Sequence, residues 1–285
     1  MDMIIETDVG HDPDDFFTIC YLVAAGVNVR AIIISPGDKD QLAIARLLCK
    51  ELSLNIPIGY SKQSNKYSTG GMHQEMLRLY GHSKDGVGDG FGKDIIKETL
   101  KKYPESHIFV IGPPNSTGRF LEENNTYISK LTMQGGFLSY DLHPYAKNKL
   151  EKFAGKTFVP TFNMNGDPNG TKAIMKANIG ERRFCGKNVC HNVFFTLDKM
   201  PPFYEERAKQ LFVEAGNIMF QKHESKKFHD PVAAVCHLHP EVGIWVRGKI
   251  QRAEGGWGTI LDDHGDYVLA ELDHDKFWDH IRRFT

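Results

Sequence analysis

Short runs of aliphatic and β-branched residues alternate along the chain with stretches whose apolar positions recur every three to four residues. "MIIE" precedes a helical pattern over 13–26, "VRAIIIS" precedes "DQLAIARLLCKEL", and "HIFVIG" precedes a helix that starts near Asn115. This order predicts an α/β fold with an open, mostly parallel, Rossmann-like sheet flanked by helices. "ISKLTMQGG" and "KNVCHNVFF" are further strand candidates, and "VGIWVRGKIQRAEGGWGTILDD" with "DYVLAELD" predicts a small antiparallel C-terminal appendage. The stretch 61–92 is rich in Gly, Ser, Asn, Lys and His and has little periodicity. It reads as a long excursion over the sheet edge, either a functional lid or a plain surface loop. The chain has neither internal repeats nor low-complexity segments.

Composition adds bounds to this picture. With 285 residues and 41% hydrophobic content the chain can bury a sizeable core, and 1–285 is expected to form a single domain. A formal net charge of -1 gives no global pull toward nucleic acid or membrane, so a small molecule is the expected partner. The five cysteines form no C-x-x-C pair and lie mostly in apolar stretches, which argues against a disulfide framework and a zinc site. No apolar run approaches the roughly 20 residues of a membrane span. "MDMIIETD" enters a strand without signal-peptide features, so a reducing, cytoplasmic setting is expected.

The chemistry concentrates in "IIETDVGHDPDDFFTIC", residues 4–20, where Glu6, Asp8, Asp12, Asp14 and Asp15 crowd together. The strand delivers Asp8 to the carboxyl end of the sheet, where open α/β folds place ligands. The helix that begins near Pro13 carries Asp14 and Asp15 in its first turn. Helix capping is the simpler explanation, worth about 0.3–1 kcal/mol, but one aspartate suffices for it. A cluster this dense calls for a counter-charge, and a hard divalent cation is the economical one. An Asp-x-Asp phosphatase loop is a third reading of the same stretch.

Further motifs bear on that choice. "TDVGHDPDD" resembles the amino-terminal signature of the inosine-uridine-preferring nucleoside hydrolase family, an Asp-x-Asp followed by Asp-Asp that holds calcium there. Glu6 stands for the first acid, and Asp12 is an extra carboxylate. "VIGPPNSTG" (110–118) is similar to the family's Gly-Pro loop, and "MQGG" (133–136) to its Met-Gly-Gly, with Gln134 as the departure. "TFNMNGDPNGTKAI" (161–174) resembles its Glu-Phe-Asn segment with Thr161 in place of Glu, and "FHDPVAAV" (228–235) its His-Asp-Pro. Order and spacing agree over most of the chain. "SPGD", "MQGGF", "KFAGKTFVPTFNMNGD", "KNVCH" and "KKFHDP" resemble a subgroup, the XopQ group of nucleoside-hydrolase-like type III effectors and relatives. That subgroup is linked to ribosylated nucleotides or modified nucleosides.

The resemblance implies the nucleoside hydrolase fold and calcium-dependent cleavage of an N-glycosidic bond in a ribonucleoside or a 5′-substituted ribosyl compound. It implies Ca2+ held by Asp8, Asp15, Asp230 and the Ile111 carbonyl, with Asp8 as general base and His229 near the leaving base. Asp14 and Asp38 are expected on sugar hydroxyls, and Asn163, with Asn165 nearby, on the 3′ side of the ribose. Thr161 removes an anion that would repel a 5′-phosphate. The alternative from another class is a non-catalytic ribosyl-nucleotide (ADP-ribose-like) binding protein. Structural roles compete at each position: Asp230 as a helix cap, His229 as a core histidine, Asn163 and Asn165 as backbone partners. Lys187, Asn188 and His191 read as a solvated rim or as leaving-group contacts, and 221–229 as a helix end or a phosphate contact. Oligomeric state stays open between monomer and homo-oligomer.

Overall fold

The first apolar run forms β1 (Asp2–Thr7), paired in parallel with the strands over 28–34 and 107–110. The computed structural model describes every residue except 145 and 203. After β1 come α1 (Pro13–Ala24), β2 (Asn28–Ile34), α2 (Lys39–Glu51), β3 (Ile58–Tyr60), α3 (Gly71–Leu79), β4 (Gly90–Phe91) and α4 (Gly92–Lys102). The middle of the chain gives β5 (His107–Val110), α5 (Asn115–Glu123), β6 (Ile128–Gln134), α6 (Phe162–Gly166), α7 (Pro168–Lys176) and β7 (Ile179–Cys185). Then follow α8 (Lys187–Cys190), β8 (Phe194–Thr196), α9 (Arg207–Phe220), β9 (Ser225–Lys227) and α10 (His229–Leu238). The chain closes with β10 (Gly243–Ala253), β11 (Gly256–Leu261), β12 (Asp266–Leu272) and α11 (His274–Arg283).

The main sheet has the order β11-β10-β12-β7-β6-β5-β1-β2-β3-β4. All pairings from β7 to β4 are parallel, and only β12-β10 and β10-β11 are antiparallel. The antiparallel strands are joined to the main sheet, because β12 runs parallel to β7 through Tyr267–Arg183 and Val268–Phe184. Both faces are covered, which is why the central strands read as unbroken apolar runs. Met3, Ile5, Ile32 and Ile34 enter the core shared with α1, α2, α9 and α10; Ile4, Ala31 and Ile33 enter the one shared with α4, α5 and α7. No helix among the described residues is long and apolar enough to cross a membrane.

Two strand expectations change. "KNVCHNVFF" is a helical turn, α8, followed by β8, which pairs with β9 in a separate two-stranded sheet. Gly186 and the Asn188 side chain turn the chain there: Asn188 Oδ1 accepts from Leu138 N and Nδ2 donates to the Leu269 carbonyl. The sheet strand lies just upstream, in "IGERRFC". Its polar residues hide it from a hydrophobicity pattern, yet they are satisfied laterally: Arg182 pairs with Asp266, and Arg183 with Glu181.

Between β1 and its neighbours the strand order reverses, with β2 on one side and β5 on the other. In open α/β sheets such a switch point opens a crevice at the carboxyl ends of the strands. Glu6 fastens that crevice from below. Its buried carboxylate accepts from Ser35 Oγ (2.7 Å), Ser116 N (2.8 Å) and Thr117 N (2.9 Å), joining β1 to the end of β2 and the first turn of α5. Burial pushes its pKa up while these bonds oppose the shift. One of the five clustered acids is therefore spent on structure. Glu6→Ala leaves three buried donors unpaired and is expected to cost about 2–4 kcal/mol. Urea unfolding checks this; an unchanged midpoint overturns it.

Candidate metal centre and cavity

Asp8 leaves the end of β1, and the loop 9–12 turns the chain into α1, which opens on Pro13, Asp14 and Asp15. α10 starts opposite, with His229 and Asp230 in its first turn. The two helix starts face each other, so their carboxylates converge. Carboxylate oxygens of Asp14, Asp15 and Asp230 lie within 4.8 Å of one another, and all three residues are buried. Asp12, Asp14 and His229 form an overlapping group of the same tightness. Thr7 Oγ1 donates to Asp15 Oδ1 at 2.5 Å, and Asp14 Oδ2 accepts from the backbone N–H of His229 at 3.0 Å and of Asp230 at 3.3 Å. Asp14 thus caps α10 from another helix, and Lys226 pairs with Asp12 at the outer edge.

The neighbouring strand end supplies a carbonyl. Ile111 follows β5, and its N–H donates to Glu6 O at 2.8 Å, holding the two strand ends in register. Asn163, at the start of α6, donates from Nδ2 to the Ile111 carbonyl (3.1 Å) and to Gln134 Oε1 (2.7 Å). Gln41 of α2 donates to the Asp8 carbonyl at 3.1 Å and so fixes that residue's backbone. Gly112 permits the close approach: a Cβ there meets Asp8 N at 2.6 Å and Asp8 Oδ1 at 2.9 Å. Gly112→Ala forces backbone apart and is expected to cost about 1–3 kcal/mol, together with a weakened affinity for divalent cation. Calorimetric titration of calcium checks the second effect; wild-type affinity in the variant overturns it.

The electrostatics follow from burial. Desolvation is the largest cause in each case: Asp8 is pushed up to about 8, with Asp14 and Asp12 adding repulsion, and Asp12 to about 6, where Lys226 opposes the rise. Asp15 and Asp230 are pushed well above the usual carboxylate range by burial and by the surrounding aspartates. Buried carboxylates that face one another are stable as anions only around a cation. The donor set fits a hard one, since Asp8, Asp15, Asp230 and the Ile111 carbonyl offer oxygen alone. His229 is pushed down to about 4, first by burial, and its buried Nε2 has no hydrogen-bond partner among the described residues.

These groups floor a cavity of about 1420 Å³. Its walls come from α3 with His73, from the α9–β9 segment with Lys222, Lys226 and Lys227, and from Thr161, Phe162 and Asn163. Lys187 and His191 close the remaining side. The excursion over 61–92 therefore forms a wall of the cavity. α2 anchors it: Asp40 accepts from Ser68 N (2.8 Å), Thr69 N (2.7 Å) and Thr69 Oγ1 (2.8 Å).

Asp8, Asp14, Asp15, Ile111, Thr161, Asn163, His229 and Asp230 all line the cavity. Asp38 and Asn165 are not among the lining residues. Asp38 N-caps α2, where its N–H donates to Gln41 Oε1 at 3.1 Å and its carboxylate accepts from Ser64 Oγ. Asn165 accepts from Thr161 N at 3.2 Å and donates to the Gly255 carbonyl at 2.8 Å, pinning one loop to another. Asn163 meets the protein backbone as well as the cavity, so its two competing readings coexist. Sequence reasoning missed His73, which is fully buried with both ring nitrogens unpaired, and Gln41. Neither carries a motif; a lone His and a lone Gln in helices give no signal before the helices are placed.

The chain matches the profile of the family described as inosine-uridine preferring nucleoside hydrolase over residues 3–279. No curated protein sequence matches it. Among solved structures it is similar to the plant nucleoside hydrolase PpNRh1, with a TM-score of 0.74, 16% identity, and 100% of this chain and 98% of that one covered. It is similar to an inosine-uridine preferring nucleoside hydrolase from Bacillus anthracis, with a TM-score of 0.71, 18% identity, and 99% and 98% covered. A purine-preferring ribonucleoside hydrolase from Gardnerella vaginalis gives 0.68, 16%, and 100% and 98%.

Proposed function

We propose, from the premise that the chain belongs to the inosine-uridine preferring nucleoside hydrolase family and is an N-ribohydrolase, that it hydrolyses a ribosyl N-glycosidic bond with calcium as its cofactor. The observation that carries this reading is the buried cluster of Asp14, Asp15 and Asp230, with carboxylate oxygens within 4.8 Å of one another, on a cavity that Asp8 and Ile111 also line at the β1/β5 switch point; Asp8, Asp15, Asp230 and the Ile111 carbonyl are the ligands proposed. Those residues would hold a hard divalent cation, which would supply the positive charge that acidifies water and favours a polar sugar face.

The protein's own groups supply the rest. Asp8, whose affinity for a proton is raised by its surroundings, takes a proton from the attacking water as general base. Attack at the anomeric carbon passes through an oxocarbenium-like state, which the anionic floor of aspartates stabilises. Asp14 and Asn163, both facing the cavity, are placed to hold sugar hydroxyls. His229 and His73 line the walls left for the departing base, where a ring N–H can donate to the leaving nitrogen. The base leaves as the nitrogen–carbon bond breaks; in sum the sugar gains the hydroxyl of water, and the proton that Asp8 removed is balanced by the one the departing nitrogen takes up.

Stripping the protein of metal and restoring calcium tests this against inosine, uridine and adenosine, with free base and free ribose measured together. Calcium-dependent release of both in equal amounts is the expected result. Release that persists undiminished in the stripped protein overturns the calcium assignment, and absence of release from every ribosyl compound overturns the reaction.

A further inference from the structure

Three lysines gather beside the cavity without an acidic partner. Lys152, in the 3-10 turn Glu151–Phe153, donates from Nζ to His191 Nδ1 at 2.9 Å. Lys187, the first residue of α8, donates to the Pro160 carbonyl at 2.6 Å and lines the cavity next to Thr161. Lys227, in β9, lines it as well. Among the described residues none of the three forms an ion pair, whereas their neighbour Lys226 pairs with Asp12. They repel one another: burial is the first cause lowering the pKa of Lys187 and Lys152, and the other lysines of the cluster add to it. A protein gains nothing from assembling like charges in a partly buried wall, unless an anion joins them.

A second observation points the same way. Thr161 is 2% exposed and lines the cavity, yet its Oγ1 has no hydrogen-bond partner among the described residues. A buried hydroxyl left unpaired costs on the order of 1–3 kcal/mol, which a ligand oxygen at this wall relieves. On the ribohydrolase reading above, the vicinal diol of a ribose would meet the acidic floor and its base nitrogen would meet His229 or His73. That leaves the primary hydroxyl, and the lining groups left for it are Thr161 with Lys187, which bonds to the Pro160 carbonyl, and Lys227, near His229.

We propose that Thr161, Lys187 and Lys227, backed by Lys152, form a phosphate subsite, so that the substrate is a ribosyl compound phosphorylated on its primary hydroxyl. This rests on the ribohydrolase reading above and names the substrate class within it. The phosphate takes no part in bond breaking: the nitrogen–carbon bond is cleaved by water, and the products are the free base and ribose 5-phosphate.

The test uses the calcium-loaded full chain, titrated calorimetrically with ribose, ribose 5-phosphate and inorganic phosphate. In parallel, kcat/KM is measured on inosine, uridine and adenosine and on their 5′-monophosphates. Ribose 5-phosphate is expected to bind at least about tenfold more tightly than ribose, as one or two charge-assisted hydrogen bonds imply. The monophosphates are expected to be cleaved with a kcat/KM about tenfold or more above their nucleosides. Lys187→Gln and Lys227→Gln, on separate elements, should each bring these ratios toward one while thermal unfolding stays cooperative. Binding of ribose 5-phosphate no tighter than ribose overturns the subsite, as do ratios that both variants leave untouched. Lys187-dependent binding with no cleavage of any compound leaves the subsite standing and removes the hydrolase reading. Cleavage of nucleosides faster than monophosphates does the reverse.

Discussion

Replacing Asp8 by Asn is expected to abolish turnover while leaving the fold intact or firmer. The substitution keeps the shape of the side chain and removes both the proposed proton acceptor and one of the carboxylates of the cavity floor. Loss of a general base alone lowers rates by about 10²–10⁴, and a weakened cation site adds to it, so a fall in kcat of about 10³ or more is expected. Stability moves the other way without metal. Asp8 is buried, and repulsion from Asp14 and Asp12 adds to the desolvation that lifts its pKa to about 8. A neutral amide at this position relieves that repulsion, so the metal-free variant should melt above the metal-free wild type at pH 8. The pairing of lost activity with gained stability separates a functional residue from a structural one. Stopped assays of base release and a thermal melt check the two halves; a variant that retains turnover excludes Asp8 as the base.

The second large effect concerns pH and metal together. The cluster's carboxyls have folded-state pKa values raised above their unfolded value of 3.8, with Asp8 at about 8 and Asp12 at about 6. A raised pKa means that the folded state holds its protons more tightly than the unfolded state. The stabilisation from those protons is full below about pH 4 and is lost as pH rises through the folded values. The metal-free protein is therefore expected to lose several kcal/mol, on the order of 5 for the coupled cluster, between about pH 4 and pH 8. Calcium replaces the protons as counter-charge, so saturating calcium should flatten that slope and raise the melting temperature most at the alkaline end. Melting series at pH 5, 6, 7 and 8 with chelator or with calcium measure it. A metal-free midpoint that rises with pH, or a calcium shift equal at all four values, contradicts the assignment of these carboxylates to a cation site.

Both results depend on a detail outside the reach of the motif. Five acids crowd residues 6–15, but they divide: Glu6 is sealed under the crevice on Ser35, Ser116 and Thr117, and Asp12 sits at the rim with Lys226. Asp8, Asp14 and Asp15 remain for the floor, and Asp230 completes it from a helix more than 200 residues away. Glu6 and Asp8 are two apart in sequence. Glu6 ends up among backbone donors and Asp8 in the cavity, because only Asp8 lies beyond the last paired residue of β1.

What the sequence by itself determined is the alternation of strand and helix, the parallel core, and the short segments that carry the clustered carboxylates. Those features are local or periodic: an apolar run buried on both faces, a Pro-led helix start, an acid at a strand end. Local chemistry also placed Asp8, Asp15 and Asp230 correctly at strand and helix ends, since those ends are where the chain must turn. Tertiary structure decided the rest. The strand "IGERRFC" escaped notice because its charges are paired with β12 and β6, partners that the chain supplies from elsewhere. Asp38 and Asn165 carry the right chemistry in the right neighbourhood. Which way each faces depends on loops 61–70 and 253–256 closing over them. The lysine cluster beside the cavity is built from a 3-10 turn, a helix start and a strand separated by up to 75 residues. Charges that distant along the chain meet only through packing, and the resulting field has no counterpart in any stretch of sequence.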